Sequence, residues 1–374
     1  MACEDNTVAF NVVEAKRRAL GSMDLALDMK YCGICHTDIH LTRNDFGIAM
    51  YPLCPGHELV GVCTAVGSEV TKFQIGDHVG IGCFVDSCLE CDQCIQGDEQ
   101  YCRKSVVPGF PGHTATYGSP DFHGRAPVGS GGSGGQIGGY SSKMTVHEHF
   151  AIKIPASYPL EYAGPLMCAG ITMYDPLKHY GVKKGMNVAI AGLGGLGQMG
   201  VKLAKAMGAT VTVLSRTAAK KDYALTGLGA DKFVAMDDAE SQAAAAGSID
   251  VILDTISCNH EVMPYIGMLA LNGTHVLIGL AMDGGTFSPA GLLFQRKSVS
   301  GSLIGGIATT QEMVDLCAAQ GIKPDIEVVG PEQVKEVFET LNSSNDKGVR
   351  YVLDCGKLAG AVGTKLEPAD IPVH

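Results

Sequence analysis

The sequence predicts an α/β protein in two parts, a β-rich domain joined to a doubly wound parallel sheet, and three observations carry that expectation. At 374 residues the chain exceeds one ordinary hydrophobic core, so about two domains are expected. Residues 8–154 read as short alternating β-like stretches broken by glycines, with few helical periods. From about residue 160 the pattern changes to strands alternating with helices, and a G-x-G-x-x-G follows directly on the first of those strands.

In the first part, residues 60–66, 77–83 and 143–146 have the alternation of half-buried strands. Residues 187–191, NVAIA, form a short apolar run of the kind buried on both faces of a parallel sheet. Residues 196–207 repeat apolar positions at helical spacing, residues 210–214 read as the next strand, and residues 251–254 and 275–278 supply further strands. A helix over 310–319 follows, and the run 349–354 is expected to return to the first domain as a closing strand. The division read from this order is 1–158, 159–302 and 303–374. Residues 129–139, GSGGSGGQIGG, read as a surface loop, because a phosphate cradle needs a strand leading in and a helix leading out. Residues 356–374 are too rich in glycine, alanine and proline to assign.

Composition excludes several classes. A net charge of −11 without a basic run argues against nucleic acid and anionic membrane as partners. No apolar run reaches bilayer-spanning length, and residues 1–16 carry Glu4, Asp5 and Glu14 where a signal peptide needs an apolar core, so a cytoplasmic protein is expected. In that setting the 14 cysteines read as reduced thiols, metal ligands and small buried hydrophobes.

Cys88, Cys91, Cys94 and Cys102 are spaced C-x2-C-x2-C-x7-C. Four thiolates fill a tetrahedral shell and leave no open position, so they are expected to hold a structural Zn2+ in a lobe too polar to bury a core of its own. The alternatives are a disulfide pair, which nested x2 gaps suit poorly, and an iron–sulfur cluster. The bacterial cluster pattern ends in a gap of three and a proline, whereas here Arg103 follows the last cysteine.

Gly192, Gly194 and Gly197 supply the G-x-G-x-x-G, with Leu193, Gly195 and Leu196 between them, at the mouth of the predicted helix. The glycines suit the tight turn, the approach of a pyrophosphate and close helix–strand packing. The alternative is a packing turn without a ligand. At the end of the next strand an NAD site would place a carboxylate for the ribose, but this chain has Ser215, followed by Arg216 and Lys220. Two cations without an anion suit a 2′-phosphate, so NADP(H) is expected over NAD(H). The alternative reading of Arg216, Lys220 and Lys221 is a solvated helix start.

The segment CGICHTDIH, followed by GHE at residues 56–58, offers a thiol, an imidazole and a carboxylate to a second, catalytic zinc, which takes three protein ligands and keeps one place open. Cys168, just before the nucleotide domain, is the candidate third ligand, with a buried apolar thiol as the other reading. Residues 32–36 also match C-x-x-C-H, but haem attachment belongs to exported proteins and is rejected.

Taken together, CGICHTDIH, RNDFG, YPLCPGHELVG, the cysteine quartet, PLMCAGIT, AGLGGLG, SRTAAKK and TTQEM resemble a zinc-dependent medium-chain alcohol dehydrogenase of the cinnamyl-alcohol-dehydrogenase-like, NADP-dependent branch, over about residues 8–355. The resemblance implies a GroES-like β-rich catalytic domain and a Rossmann domain inserted before its last segment. It also implies a homodimer joined through Rossmann sheet edges. It implies Cys35, His57 and Cys168 as catalytic zinc ligands, Glu58 beside the metal and able to coordinate it, and Thr37 and His40 as a proton relay that Asp38 orients. Thr172, Thr255, Ile278, Ser302 and Ile304 join the fingerprint as expected cofactor contacts. The expected reaction moves a hydride between NADP(H) and a primary alcohol/aldehyde pair, with aldehyde reduction dominant. Two features depart from the family: the glycine-rich stretch 129–139, and the absence of tryptophan, which plant members often use in an aromatic pocket. Aliphatic and simple aromatic aldehydes are therefore expected substrates alongside cinnamyl ones. The competing readings are a zinc-free quinone reductase of the same superfamily and a non-catalytic dinucleotide-sensing zinc protein.

Overall fold

The computed structural model describes residues 1–15, 17–104, 114–118, 137–281, 288–343 and 348–358. The chain divides into two units, Met1–Cys168 together with Gly305–His374, and Ala169–Ile304. Residues 129–136 of the glycine-rich stretch, and the tail 359–374, lie outside the described residues.

The first unit is organised by a seven-stranded sheet whose path runs Ile326–Val329, Arg350–Asp354, Asp24–Gly33, Leu59–Val66, His78–Ile81, Ile152–Ile154, with Lys143–His147 also paired to Asp24–Gly33. Asp24–Gly33 is the hub because it is long enough to take different partners along one edge. Asp24 to Asp28 pair with Lys143–His147, and Tyr31 to Gly33 pair with Arg350–Asp354. Along it Leu25, Leu27 and Met29 are buried while Ala26 and Asp28 are not, the alternation that fixes which face meets the core. Each such fully buried aliphatic side chain contributes roughly 1.5–3 kcal/mol. The 349–354 run is thus a strand of this sheet, antiparallel to Asp24–Gly33, with Val352 opposite Gly33.

Directly after the hub strand the chain turns into the helix His36–Arg43, in a region where helical periods are hard to see. Its ends, rather than its periodicity, define it. Asp38 at the third helical position accepts a hydrogen bond from the Cys35 N–H at 2.9 Å, and Asn44 closes the helix in the left-handed conformation at φ 62°.

The second unit holds six parallel strands, in chain order Asn187–Ala191, Thr210–Ser215, Lys232–Ala235, Ile249–Asp254, Leu269–Leu277 and Ser298–Gly301. Their spatial order is 3-2-1-4-5-6, the doubly wound order, which reverses direction between Asn187–Ala191 and Ile249–Asp254. Ala191 and Asp254 therefore face each other at the switch point. The expected strand over 275–278 begins earlier, at Leu269, because Asn272 at φ 63° and Gly273 break its apolar pattern without ending it. Among the described residues no helix is long and apolar enough to cross a membrane.

Candidate functional site

Cys35, His57, Glu58 and Cys168, all buried in the first unit, bring their ligand atoms within 4.8 Å of one another. Three local features produce this convergence. Cys35 caps the helix His36–Arg43, where unpaired N–H groups favour a thiolate. His57 and Glu58 end the approach to the strand Leu59–Val66, and the Gly33 N–H donates to the Glu58 carbonyl at 2.9 Å. Cys168 follows the short helical turn Gly164–Met167, pressed so close that a Cβ on Gly164 would stand 2.9 Å from the Glu58 carbonyl oxygen.

Asp38 sets the imidazole. Its Oδ1 lies 3.0 Å from His57 Nδ1 and accepts from the Gly56 N–H at 3.1 Å, while Asp38 itself is fully buried. A carboxylate only accepts, so His57 carries its hydrogen on Nδ1 and turns the Nε2 lone pair toward the cluster. Burial disfavours charge on this ring, but the Asp38 carboxylate outweighs it and makes His57 a stronger base. Tyr117 stacks on the ring with centroids 5.9 Å apart. The Cys168 hydrogen bond, against burial and with help from the Arg350 charge, holds Cys35 well below the usual thiol range, and the same contact pushes Cys168 up.

Glu58 points away from solvent toward Arg350, whose Nε donates to Oε2 at 3.2 Å and whose Nη2 donates to Oε1. Arg350 opens the strand on one side of Asp24–Gly33 and Glu58 directly precedes the strand on the other, and they meet across Gly33, where a Cβ would fall 1.9 Å from Glu58 Oε2. Burial pushes the Glu58 carboxyl up and the guanidinium works against it. His57 Nε2 lies 4.0 Å from Glu58 Oε1, so the carboxylate stands next to the cluster.

At the rim, the Thr37 hydroxyl is 3.7 Å from the Cys35 sulfur. His40 is not hydrogen bonded to Thr37 among the described residues; its Nδ1 meets Asp45 Oδ2 at 2.8 Å. Nδ1 therefore donates and Nε2 is left as an acceptor.

The cysteine quartet forms the other cluster of the first unit. Cys88 and Cys94 sulfurs are 3.9 Å apart, Cys91 and Cys94 sulfurs 3.6 Å, and all four lie within 4.8 Å of one another. Zn–S bonds of about 2.3 Å in a tetrahedron place sulfurs about 3.8 Å apart, whereas a disulfide needs about 2.05 Å, so the spacing fits a metal. Backbone N–H groups of Cys91 and Cys88 donate to the Cys88 and Cys102 sulfurs at 3.3 and 3.4 Å, as thiolates require. Burial works against ionising Cys91, but hydrogen bonds led by the Arg103 N–H bring it down to about 6. The lobe is pinned by Glu99, which takes His149 Nε2 at 2.8 Å and the Ile307 N–H at 3.1 Å.

In the second unit the fingerprint turn leads from Asn187–Ala191 into the helix Gly195–Ala206. Gly192 has φ +87°, which a side chain disfavours, and a Cβ on Gly197 would lie 2.1 Å from the Gly192 carbonyl oxygen. Nothing lies within 4 Å of where a Gly194 Cβ would be, and Gly194 caps the helix with no side chain of its own. The helix start thus has room beside Gly194 for a group to approach its first N–H groups, the setting a pyrophosphate uses. Leu193 is buried, and its carbonyl accepts from Lys220 Nζ at 3.0 Å, so that cation sits at the turn. Ser215 ends its strand half-buried and Arg216 is exposed. The Thr255 hydroxyl donates to the Ala191 carbonyl at 2.8 Å, and the Ile278 N–H to Asp254 O at 2.9 Å. The Thr172 hydroxyl is buried with no partner among the described residues, and Ser302 Oγ is 3.4 Å from Asp175 Oδ2. Ile304 is buried at φ 43°.

Asp38 as the fixer of His57, and Arg350 as the partner of Glu58, escape a reading of sequence alone. Arg350 stands 292 residues from Glu58, with no spacing signal to join them. Asp38 had a signal, since an acid three residues after a helix-capping position caps it.

Comparison with known proteins matches residues 21–156 to the alcohol dehydrogenase GroES-like domain and residues 195–319 to the zinc-binding dehydrogenase family. An NADP-dependent alcohol dehydrogenase C of Mycolicibacterium smegmatis is 46% identical over 342 residues, 91% of this chain and 93% of that protein. A cinnamyl alcohol dehydrogenase structure from Sorghum bicolor superposes with a TM-score of 0.87 at 38% identity, covering 98% of each chain. The Helicobacter pylori enzyme of that name, complexed with NADP(H), gives 0.84 at 37% identity, covering 95% of this chain and 97% of that one.

Proposed function

This chain belongs to the zinc-dependent alcohol dehydrogenases of the cinnamyl-alcohol-dehydrogenase-like, NADP-dependent branch, and from that premise we propose how its residues divide the work. It is an oxidoreductase that uses zinc and NADP(H) on small-molecule alcohols. Cys35, His57 and Cys168 would hold the catalytic zinc and Cys88, Cys91, Cys94 and Cys102 the structural one. The observation that carries this assignment is the convergence of the buried donor set that includes Cys35, His57 and Cys168 within 4.8 Å. Zinc bound there would supply Lewis acidity toward the oxygen of alcohol or aldehyde, and NADP(H) would supply the hydride chemistry.

The chain's own groups do the rest. The two thiolates and the Nε2 lone pair offer three ligands and leave a fourth position open. Asp38 keeps His57 in the ligating tautomer. Glu58, tied to Arg350, would stand beside a bound metal as a reserve ligand and adds a carboxylate to the site. Thr37 passes the alcohol proton outward, and His40 receives it on Nε2, since Asp45 occupies Nδ1. His40 is about a third exposed and hands the proton to solvent.

Ser215, Arg216 and Lys220 take the 2′-phosphate, supported by the missing carboxylate at the strand end and by the ammonium already at the turn. Ser215→Asp is therefore expected to weaken NADPH binding about fivefold or more, from a charge pair worth roughly 1–4 kcal/mol. An unchanged NADP/NAD preference in steady-state kinetics would remove the phosphate assignment. The substrates are primary aliphatic and aromatic aldehydes, reduced in a homodimer in the cytoplasm; a screen of aldehydes and alcohols with NADPH and NADP tests the range, and light scattering tests the dimer.

A further inference from the structure

We propose that Asp254, gripped by His260 and His275, is a positioning residue for the dinucleotide, holding the backbone wall against which the fingerprint turn is built. Asp254 is 1% exposed and ends its strand opposite Ala191, at the point where the sheet order reverses. An ionised carboxylate that deep is costly unless every oxygen is satisfied. Here Oδ1 accepts from the Ile256 N–H at 3.0 Å, and Oδ2 meets His260 Nε2 at 2.8 Å and His275 Nε2 at 2.9 Å. The Asp254 carbonyl takes the N–H groups of Ile278 and Gly279, both at 2.9 Å.

The hydrogen positions follow. His260 Nε2 faces the carboxylate, which only accepts, so Nε2 donates, and Nδ1 lies 2.9 Å from the Cys258 carbonyl. His275 has no partner for Nδ1 among the described residues, so its one hydrogen sits on Nε2, and its ring stacks on Tyr265 at 5.7 Å. The carboxylate is thus clamped from two elements, the loop that carries His260 and the strand Leu269–Leu277.

What the clamp holds is the next residue. Thr255 donates from its N–H and its hydroxyl to the Ala191 carbonyl, at 2.9 and 2.8 Å, and its hydroxyl lies 3.4 Å from the Gly192 carbonyl. A Cβ on Gly192 would be 2.6 Å from that hydroxyl, and one on Gly279 would be 2.2 Å from the Ile256 carbonyl. The segment 254–256 is therefore packed backbone to backbone with the first glycine of the fingerprint on one side and with 278–279 on the other. An apolar residue at 254 would fill the space, but it would lose the donors that set the path of Thr255.

The inference rests on the reading of the fingerprint as the NADP site, and the experiment separates the two. Full-length, zinc-loaded His260→Ala, His260→Gln, Asp254→Asn and Ser215→Asp proteins are compared for the NADPH dissociation constant by cofactor fluorescence, and for kcat and KM. His260→Ala is expected to weaken NADPH binding about tenfold while kcat falls less than about twofold, and His260→Gln, which keeps a donor to the carboxylate, to recover most of the loss. Asp254→Asn is expected to weaken binding at least as much; if it does not fold, the His260 pair still decides. NADPH binding within about twofold of the parent in His260→Ala, with Ser215→Asp still impaired, would overturn the positioning role and leave the cofactor site standing. Equal losses in His260→Ala and His260→Gln would overturn it as well, by making the effect one of packing. If Ser215→Asp and His260→Ala are both without effect, the cofactor-site reading falls with it.

Discussion

Replacing Cys168 by alanine is expected to lower turnover by about a thousandfold or more while NADPH affinity stays within about twofold. Lewis acidity at a reacting oxygen is worth several kcal/mol, and each 1.36 kcal/mol is a factor of ten. The variant removes a sulfur ligand and with it the hydrogen bond that holds Cys35 well below the usual thiol range. Cys168 belongs to the first unit, whereas the fingerprint belongs to the second. Zinc analysis should fall from about two ions per chain to about one, the remaining ion held by the quartet. Full activity in the variant would take Cys168 out of the mechanism.

Arg350→Met is expected to cost about 3–5 kcal/mol of stability, because it leaves the fully buried Glu58 carboxylate without its counter-charge. Adding Glu58→Gln to the same chain removes the orphaned charge and should recover most of the loss, a coupling that a denaturant titration of the single and double variants reads directly. Single variants that simply add would mean that the pair does not share its energy. Methionine replaces the unbranched apolar stem of arginine, so most of the stem's packing is kept.

The pieces that could be read from the sequence are those whose signal is local. The strand Asn187–Ala191 ends at the residue that starts the glycine turn, and the quartet spans only fifteen residues, so pattern and chemistry coincide in one stretch. The absent acid at Ser215 is likewise a local observation. Elsewhere the determinants are distant in sequence. Asp24–Gly33 gains its partners from Leu59–Val66, Lys143–His147 and Arg350–Asp354, none of which announces the pairing. The short strands Lys232–Ala235 and Ser298–Gly301 carry too few residues to establish a period. Gly33 reads as an ordinary strand glycine until the carboxylate that needs its missing Cβ is seen to come from Glu58 and to meet Arg350. A buried acid such as Asp254, whose partners His260 and His275 lie outside any motif, looks from sequence like a solvated one.

The central claim is that a zinc with one open position is held by Cys35, His57 and Cys168, apart from the zinc of the quartet. A crystal structure of the active protein with data at the zinc absorption edge tests it most directly. The account predicts two anomalous peaks per chain, one about 2.3 Å from each of the four sulfurs of Cys88, Cys91, Cys94 and Cys102, the other bonded by Cys35 and Cys168 sulfur and His57 Nε2. A fully active protein with no second peak, or with that peak bonded by other residues, would contradict it.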